Sequence, residues 1–286
     1  MDIYELPHNQ LPERLRQLSS PPGQLFHAGA DLDDLLKRPT VAIVGSRKVT
    51  PYGQQITTKL ARELAEQGIV IVSGLALGVD ALAHEAALAV GGLTIAVLPS
   101  SLEHIAPRSH VGLAQRIVQG GGTLVSEYPH GSETFRTNFV ARNRLVAGLA
   151  DAVLITEAAL KSGSLHTARF ALEQGKDVLA VPGNITSPTS EGANNLLRAG
   201  AVPVTCAEDV LSVLQLKFHA ITPLKIAQGA NIYEQAIIDL LKDGLTDGDQ
   251  LQRSSQLDIA QFNQTLTMLE LSGKIRPLGA GHWALT

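Results

Sequence analysis

Cysteine is almost missing from this chain: Cys206 is the only one in 286 residues. That excludes an intrachain disulfide framework and any zinc site built from several cysteines. Aromatic residues make up only 4%, so extended base-stacking platforms are not expected. Charge is sparse as well, at 17% of residues with a net of −4, so nothing in the overall balance advertises nucleic acid. Any nucleic-acid site must therefore be a local basic patch. Long apolar runs are also lacking. The longest uncharged stretch lies between Glu85 and Glu103, and it holds two glycines and Pro99, which argues against a membrane span. The first ten residues, MDIYELPHNQ, lack the basic-then-apolar order of a signal peptide. With 44% hydrophobic residues, these absences leave a cytoplasmic globular protein with one large domain and one small one.

What the chain does have is a regular alternation. Short β-branched runs at 41–44, 69–72, 94–98, 123–126, 152–156 and 178–181 read as buried strands, and 201–204 adds a possible edge strand. Helical patterns fill the gaps near 51–67, 79–90, 110–119, 137–150, 165–175 and 190–199. Such alternation predicts an α/β fold with a doubly wound parallel sheet of Rossmann-like form. Glycine-containing turns follow four of the runs: Gly45-Ser46-Arg47, Ser73-Gly74, Ser162-Gly163-Ser164 and Pro182-Gly183-Asn184. Ligands of open α/β sheets bind beyond the carboxyl ends of the strands, where small residues let backbone N–H groups approach an anion. One sheet edge is thus expected to meet phosphate.

Residues 1–40 read as a Pro-rich, irregular N-terminal extension, with a weak helical signal at Leu32–Lys37. The sheet domain spans 41–216, a linker 217–229, and a second module 230–286. In that module NIYEQAIIDLLKDG, GDQLQRSSQ and DIAQFNQTLTMLELSG read as three helices, the last N-capped by Asp258. KIRPLGAGHWALT reads as a hairpin turning at Gly279–Gly281, and together these predict a winged-helix domain.

Several residues are candidates for phosphate or base contact. Arg47 after the first strand either forks onto a phosphate or closes a tight turn against a nearby acid. The stretch FRTNFVARNRLVAG carries Arg136, Arg142 and Arg144 with no acid, alongside Phe135, Asn138, Phe139 and Asn143. Basic groups interleaved with aromatics suit single strands; alternatively, Phe139 packs or caps and the arginines pair with Glu127 or Glu157. Lys161, Ser162, Gly163, Ser164 and Thr167 open a helix, either capping it or leaving its N-terminus for an anion. Asp80 and His84 stand at i and i+4. With no further ligand in view, a helix-start carboxylate and a packed histidine are expected there, and no metal. Glu157 is expected to hydrogen-bond or to pair with an arginine. Ser73 and Ser126 lack a nucleophile elbow.

VAIVGSR, IVSGLALGVDALAHEAAL, SEYPHG, NFVARNRLVAGLADAVLITEA, SGSLHTARFALEQGKDVLAVPG and SEGANNLLRAGA together resemble the DNA-processing protein A family, often called DprA or Smf, from about residue 40 to 205. The resemblance implies a mediator that binds and protects single-stranded DNA and helps load the RecA recombinase during natural transformation. It also implies a homodimer, no cofactor and no established catalytic reaction. Two departures stand out. After TIAVL, where relatives show a glycine, an aspartate and a Tyr-Pro pair, this chain reads PSSLEHIAPRSH, with Glu103 and Ala106 at the aspartate and tyrosine positions. The small helical domain that many relatives carry before the sheet is also expected to be missing.

Two other functions compete with that reading. A nucleotide phosphoribohydrolase of the lysine-decarboxylase-like family shares the sheet layout, but this chain has KSGSLHTARF where that family places its glycine-rich turn and glutamates. Neither a P-loop nor the dinucleotide spacing is present. The third reading assigns DNA binding to the terminal module alone. From 224 to 286, however, five cations face seven carboxylates, a net of −2, and the last helix has no Lys or Arg, so protein contact or packing is the better expectation.

Overall fold

In the computed structural model the described residues are 2–216, 229–279 and 281–285, and they fall into two compact units. The first holds β1 (Tyr4–Pro7), α1 (Glu13–Arg16), β2 (Gln24–Gly29), α2 (Leu32–Leu36) and β3 (Thr40–Val44). It continues through α3 (Pro51–Glu66), β4 (Val70–Ser73), α4 (Val79–Ala89), β5 (Thr94–Val97), α5 (Val111–Gln119) and β6 (Thr123–Ser126). After these come α6 (Arg136–Leu149), β7 (Ala152–Ile155), α7 (Ser164–Glu173), β8 (Asp177–Ala180), α8 (Glu191–Arg198), β9 (Val202–Pro203) and α9 (Ala207–Val213). The strands order as β1-β2-β6-β5-β4-β3-β7-β8-β9. From β6 to β9 every pairing is parallel.

Alternation along each strand sorts the core into two faces, which is what makes the sheet doubly wound. Ala42 and Val44 of β3 point toward Leu145, Val146 and Leu149 of α6 and Ala168 and Ala171 of α7. Val41 and Ile43 point the other way, toward Leu60 and Leu64 of α3, Ala83 of α4 and Leu211 of α9. The chain builds outward from β3 through β4 and β5 to β6, then returns through α6 to lay β7 on β3's other side. The sheet therefore reverses its winding between β3 and β7, with Val44 opposite Ile155 at the carboxyl ends. This is where open α/β sheets bind their ligands. No helix among the described residues is long and apolar enough to cross a membrane.

Residues 1–40 are not irregular. β1 and β2 extend the sheet in antiparallel fashion, with Phe26 opposite Ser126, and Leu11, Leu15, Leu25 and Leu32 are buried in the main core. Arg14 donates to the Leu149 carbonyl at 2.9 Å and pairs with Asp151 at 3.3 Å, which ties this segment to the end of α6. Prolines concealed these short strands in the sequence, because a Pro-rich stretch offers few periodic positions. The α2 signal is present as a short helix N-capped by Asp31.

The second unit holds α10 (Ile232–Lys242), α11 (Gly248–Ser255), α12 (Ile259–Leu271), β10 (Ile275–Gly279) and β11 (His282–Leu285). Asp258 caps α12 by accepting from the Gln261 N–H, and Gly279 and Gly281 both take positive φ at the hairpin. Ile237, Ile238, Leu251, Leu269 and Ile275 form its own core. The expected linker falls almost wholly outside the described residues.

Leu15 is fully buried, so Leu15→Ala should destabilise the protein by about 2–5 kcal/mol in urea unfolding. A change below about 0.5 kcal/mol would mean that the first forty residues are only an appendage.

Candidate nucleic-acid interface

The turn after β3 is held from two sides. Ser46 donates its N–H to the Glu157 carbonyl at 2.8 Å, just past β7, and accepts from the Val79 N–H at 3.1 Å at the start of α4. Gly78 makes that second contact possible. Its φ is +79°, and a Cβ there would overlap the Ser46 carbonyl and stand 2.9 Å from that of Arg47. Glu157 completes the frame: its carboxylate accepts from the Thr50 N–H at 3.1 Å and from the Thr50 hydroxyl, so it is engaged in hydrogen bonds at the head of α3. Held this way, the turn leaves Arg47 exposed.

Beneath the next strand end lies a buried charge pair. Arg142 is only 3% exposed and donates through Nη1 to the carbonyls of Gly74 and Val97, at the ends of β4 and β5. A Cβ on Gly74 would come within 2.5 Å of Nη2, so the guanidinium lies flat against this glycine. From the other side, Asp80 accepts from the Gly74 N–H at 3.0 Å. Burial lowers the Arg142 pKa to about 10 against the support of Asp80, with Arg47 adding repulsion. Burial likewise raises the Asp80 carboxyl, opposed by Arg142. Ser73 is buried and donates to the Ile43 carbonyl at 2.6 Å. His84 bonds Thr94 at 2.6 Å, and burial, then Arg142 and His110, push it down to about 3. Asp80 thus stands in the first turn of α4 and holds the Gly74 amide, and His84 packs against Thr94.

Helix α6 delivers the aromatic. The Arg47 guanidinium carbon stands 5.3 Å from the centroid of the Phe139 ring, a cation–π contact between residues about ninety positions apart. Phe139 is half-buried and stands outside the buried core clusters of the sheet unit. Asn138 is buried beside it, whereas Phe135 is 58% exposed at the head of the helix and Arg136 is exposed next to it. Arg144 faces away from the crevice: its two Nη atoms meet the two Glu127 oxygens at 2.8 and 2.6 Å, and Nε donates to the Ser20 carbonyl. Asn143 donates to the Gly163 carbonyl at 3.3 Å and so links α6 to the loop before α7.

At the head of α7, Ser162 and Ser164 share a 2.7 Å hydroxyl contact, and Thr167 is buried with its hydroxyl unpartnered. The Gly163 N–H donates to no acceptor among the described residues, and Lys161 beside it is exposed. The turn after β8 differs, because Asn194 accepts from the Gly183 N–H and donates to the Gly183 carbonyl, both at 3.1 Å.

The structure thus corrects the sequence reading in physical terms. The amides of Ser46, Gly74 and Gly183 already donate to protein acceptors, so these glycine turns serve close packing and not anion capture. Arg142, Arg144, Ser73 and Thr167 are buried or committed internally. Arg47, Phe139, Arg136, Lys161 and Gly163 remain able to meet a ligand. Phe135, noted in sequence only as an aromatic, joins them by its exposure, a property its position at a helix start can signal.

These features define a Rossmann-like α/β protein with a terminal winged helix and an arginine–phenylalanine pair at the point where the winding reverses. Comparison with known proteins agrees. The family model described as DNA recombination-mediator protein A matches residues 3–215, and the DprA winged helix domain matches 227–281. The chain belongs to the DNA recombination-mediator protein A family. It is 46% identical over 208 residues to Protein Smf of Escherichia coli K12, an alignment covering 73% of this chain and 55% of that protein, so it spans little more than half of that relative. It is 39% identical to DNA processing protein DprA of Bacillus subtilis over 72% of this chain and 68% of the relative. Two solved structures are similar at 39% identity, each over 76% of this chain. DprA from Streptococcus pneumoniae has a TM-score of 0.69 over 75% of its chain. DNA processing protein A from Helicobacter pylori, described for its single-stranded DNA binding mode, has 0.68 over 97%.

Gly78→Ala should displace the Arg47 turn and lower stability by on the order of 1–3 kcal/mol, as expected for an L-residue forced into a glycine conformation. Thermal unfolding checks the stability, and the Arg47 side-chain NMR signal should shift in the same variant.

Proposed function

We propose that this chain binds single-stranded DNA in the crevice above β3 and β7 and acts as a recombination mediator. The observation that carries the reading is Arg47 on the face of Phe139. A guanidinium stacked on a ring is pre-oriented, so it can bind phosphate with little further ordering while the ring offers a face to a base. In this reading Lys161 and the Gly163 N–H at the head of α7, a loop that Asn143 ties to α6, supply a second anion contact. The single-stranded DNA binding of the H. pylori relative supports this reading. On the family's pattern the chain works as a homodimer that protects incoming strands and hands them to the RecA recombinase.

The phosphoribohydrolase alternative finds little support. Glu157, the carboxylate such an enzyme would recruit at this strand end, is bound to Thr50. The terminal unit is a poor candidate for duplex binding, since Lys242 pairs with Asp239 at 3.0 Å and Lys274 with Glu234 at 2.8 Å.

Arg47→Ala should weaken binding to a labelled single-stranded oligonucleotide and flatten its salt dependence by about 0.7 units of log K per log salt, the share of a single neutralised phosphate. An unchanged slope in a variant that melts normally would exclude Arg47 from the site.

Phe139→Ala should cost on the order of 1–3 kcal/mol of binding. Because the ring is only half-buried, the melting temperature should fall far less than for a core phenylalanine. A titration and a melt on one sample decide between a stacking and a core role.

A further inference from the structure

At the far side of the same sheet edge, where β2 meets β6, lies a cavity of about 160 Å³. Phe26 and Tyr128 supply its aromatic wall, Leu102 its aliphatic floor, and Glu5 and Glu103 its carboxylates. Leu102 and Glu103 come from the PSSLEHIAP loop after β5, and Phe26 is set by its pairing with Ser126. The site lies three strands from Arg47, roughly 14 Å at ordinary strand spacing.

The chemistry here is opposite to that of the crevice. No lysine or arginine lines the cavity, and His130 meets Glu103 through Nδ1 at 3.0 Å. Partial burial works to raise the Glu103 carboxyl, but hydrogen bonds from its own backbone N–H, from His130 and from Ser101 outweigh it and hold the group below the usual carboxylate range. Two carboxylates repel a phosphodiester, so the DNA strand is a poor occupant. A planar cation is a good one, since a guanidinium can fork onto a carboxylate while its face rests on an aromatic ring. Lys would offer a point charge without that match of planes.

We propose that this cavity is a docking pocket for an arginine side chain presented by a protein partner, seated between Tyr128 and Phe26 with its guanidinium on Glu103. Charge complementarity selects this occupant, and the pocket is separate from the DNA crevice. The chain therefore offers one face to nucleic acid and a neighbouring pocket to a basic protein segment.

The test uses the full chain, isotope-labelled, titrated with N-acetyl-arginine amide and with its uncharged isostere N-acetyl-citrulline amide. Saturable NMR shifts at Glu103 and Tyr128, with affinity at least about fivefold stronger for the arginine probe, are expected. Glu103→Gln should abolish them while leaving the melting temperature and the oligonucleotide affinity unchanged, since Glu103 is an exposed loop residue outside the crevice. Equal response to citrulline, no saturable shift, shifts confined to other sites, unchanged arginine binding in Glu103→Gln, or displacement of the arginine probe by deoxyguanosine monophosphate would overturn the proposal.

Discussion

The architecture of the carboxyl edge of the sheet depends on a guanidinium taken out of water. Arg142 is buried at the carboxyl ends of β4 and β5, where it donates to the Gly74 and Val97 carbonyls. Burying a charge is costly, and removing one partner of such a set leaves the other uncompensated. The structure meets that demand with Asp80, which also fixes the Gly74 amide, so one glycine sits between a cation and an anion. Its missing side chain is the space the guanidinium fills. Because Arg142 is locked to two strands, α6 cannot rotate about its axis, and Phe139, three residues earlier, is set toward the first strand end. Arg47 then finds its ring.

A chain of net charge −4 can still leave a few cations exposed at this edge, Arg47 and Lys161 among them. Most arginines of this region are neutralised or buried: Arg144 by Glu127, Arg14 by Asp151. What stays unpaired is local and outward, and phosphate attraction needs only a few such charges placed together. Screening confines their reach to about 8–10 Å at physiological salt, so the carboxylates of the pocket beside β2 and β6 do little to weaken them.

Much of this was legible in the sequence, because a parallel strand buried on both faces leaves an unmistakable apolar run. From β3 to β8 the expected strands fall within a residue or so of those observed. The site was only half legible. Arg47 follows a strand and Lys161 precedes a helix, as their chain positions indicate, but the contact of Arg47 with the Phe139 ring is set by tertiary structure. A sequence does not tell whether Arg142 or Arg144 is the buried one, since both stand on the same helix two residues apart. Nor does a glycine turn reveal whether its amide is free. Here Asp80, Glu157 and Asn194 occupy three of them, and each lies in a different segment from the amide it holds. The N-terminal strands were hidden for another reason: they are short, flanked by proline, and stabilised by Leu15, Leu25 and Arg14, not by any local period.

The terminal unit shows how a motif and its usual function separate. Its three helices and hairpin form a complete small core, yet α12 presents Asn263, Gln264, Thr267 and Met268 where a duplex-reading helix would need cations. Two of its lysines are held by carboxylates of the same unit, and Asp258 and Asp247 cap its helices with further negative charge. Counterion release from DNA would have little to act on at this surface. Exposed Ile259, Met268 and Leu271 on the same helix suit burial against protein better than contact with a phosphate backbone. For the winged-helix unit, surface chemistry and not topology therefore decides what it can hold.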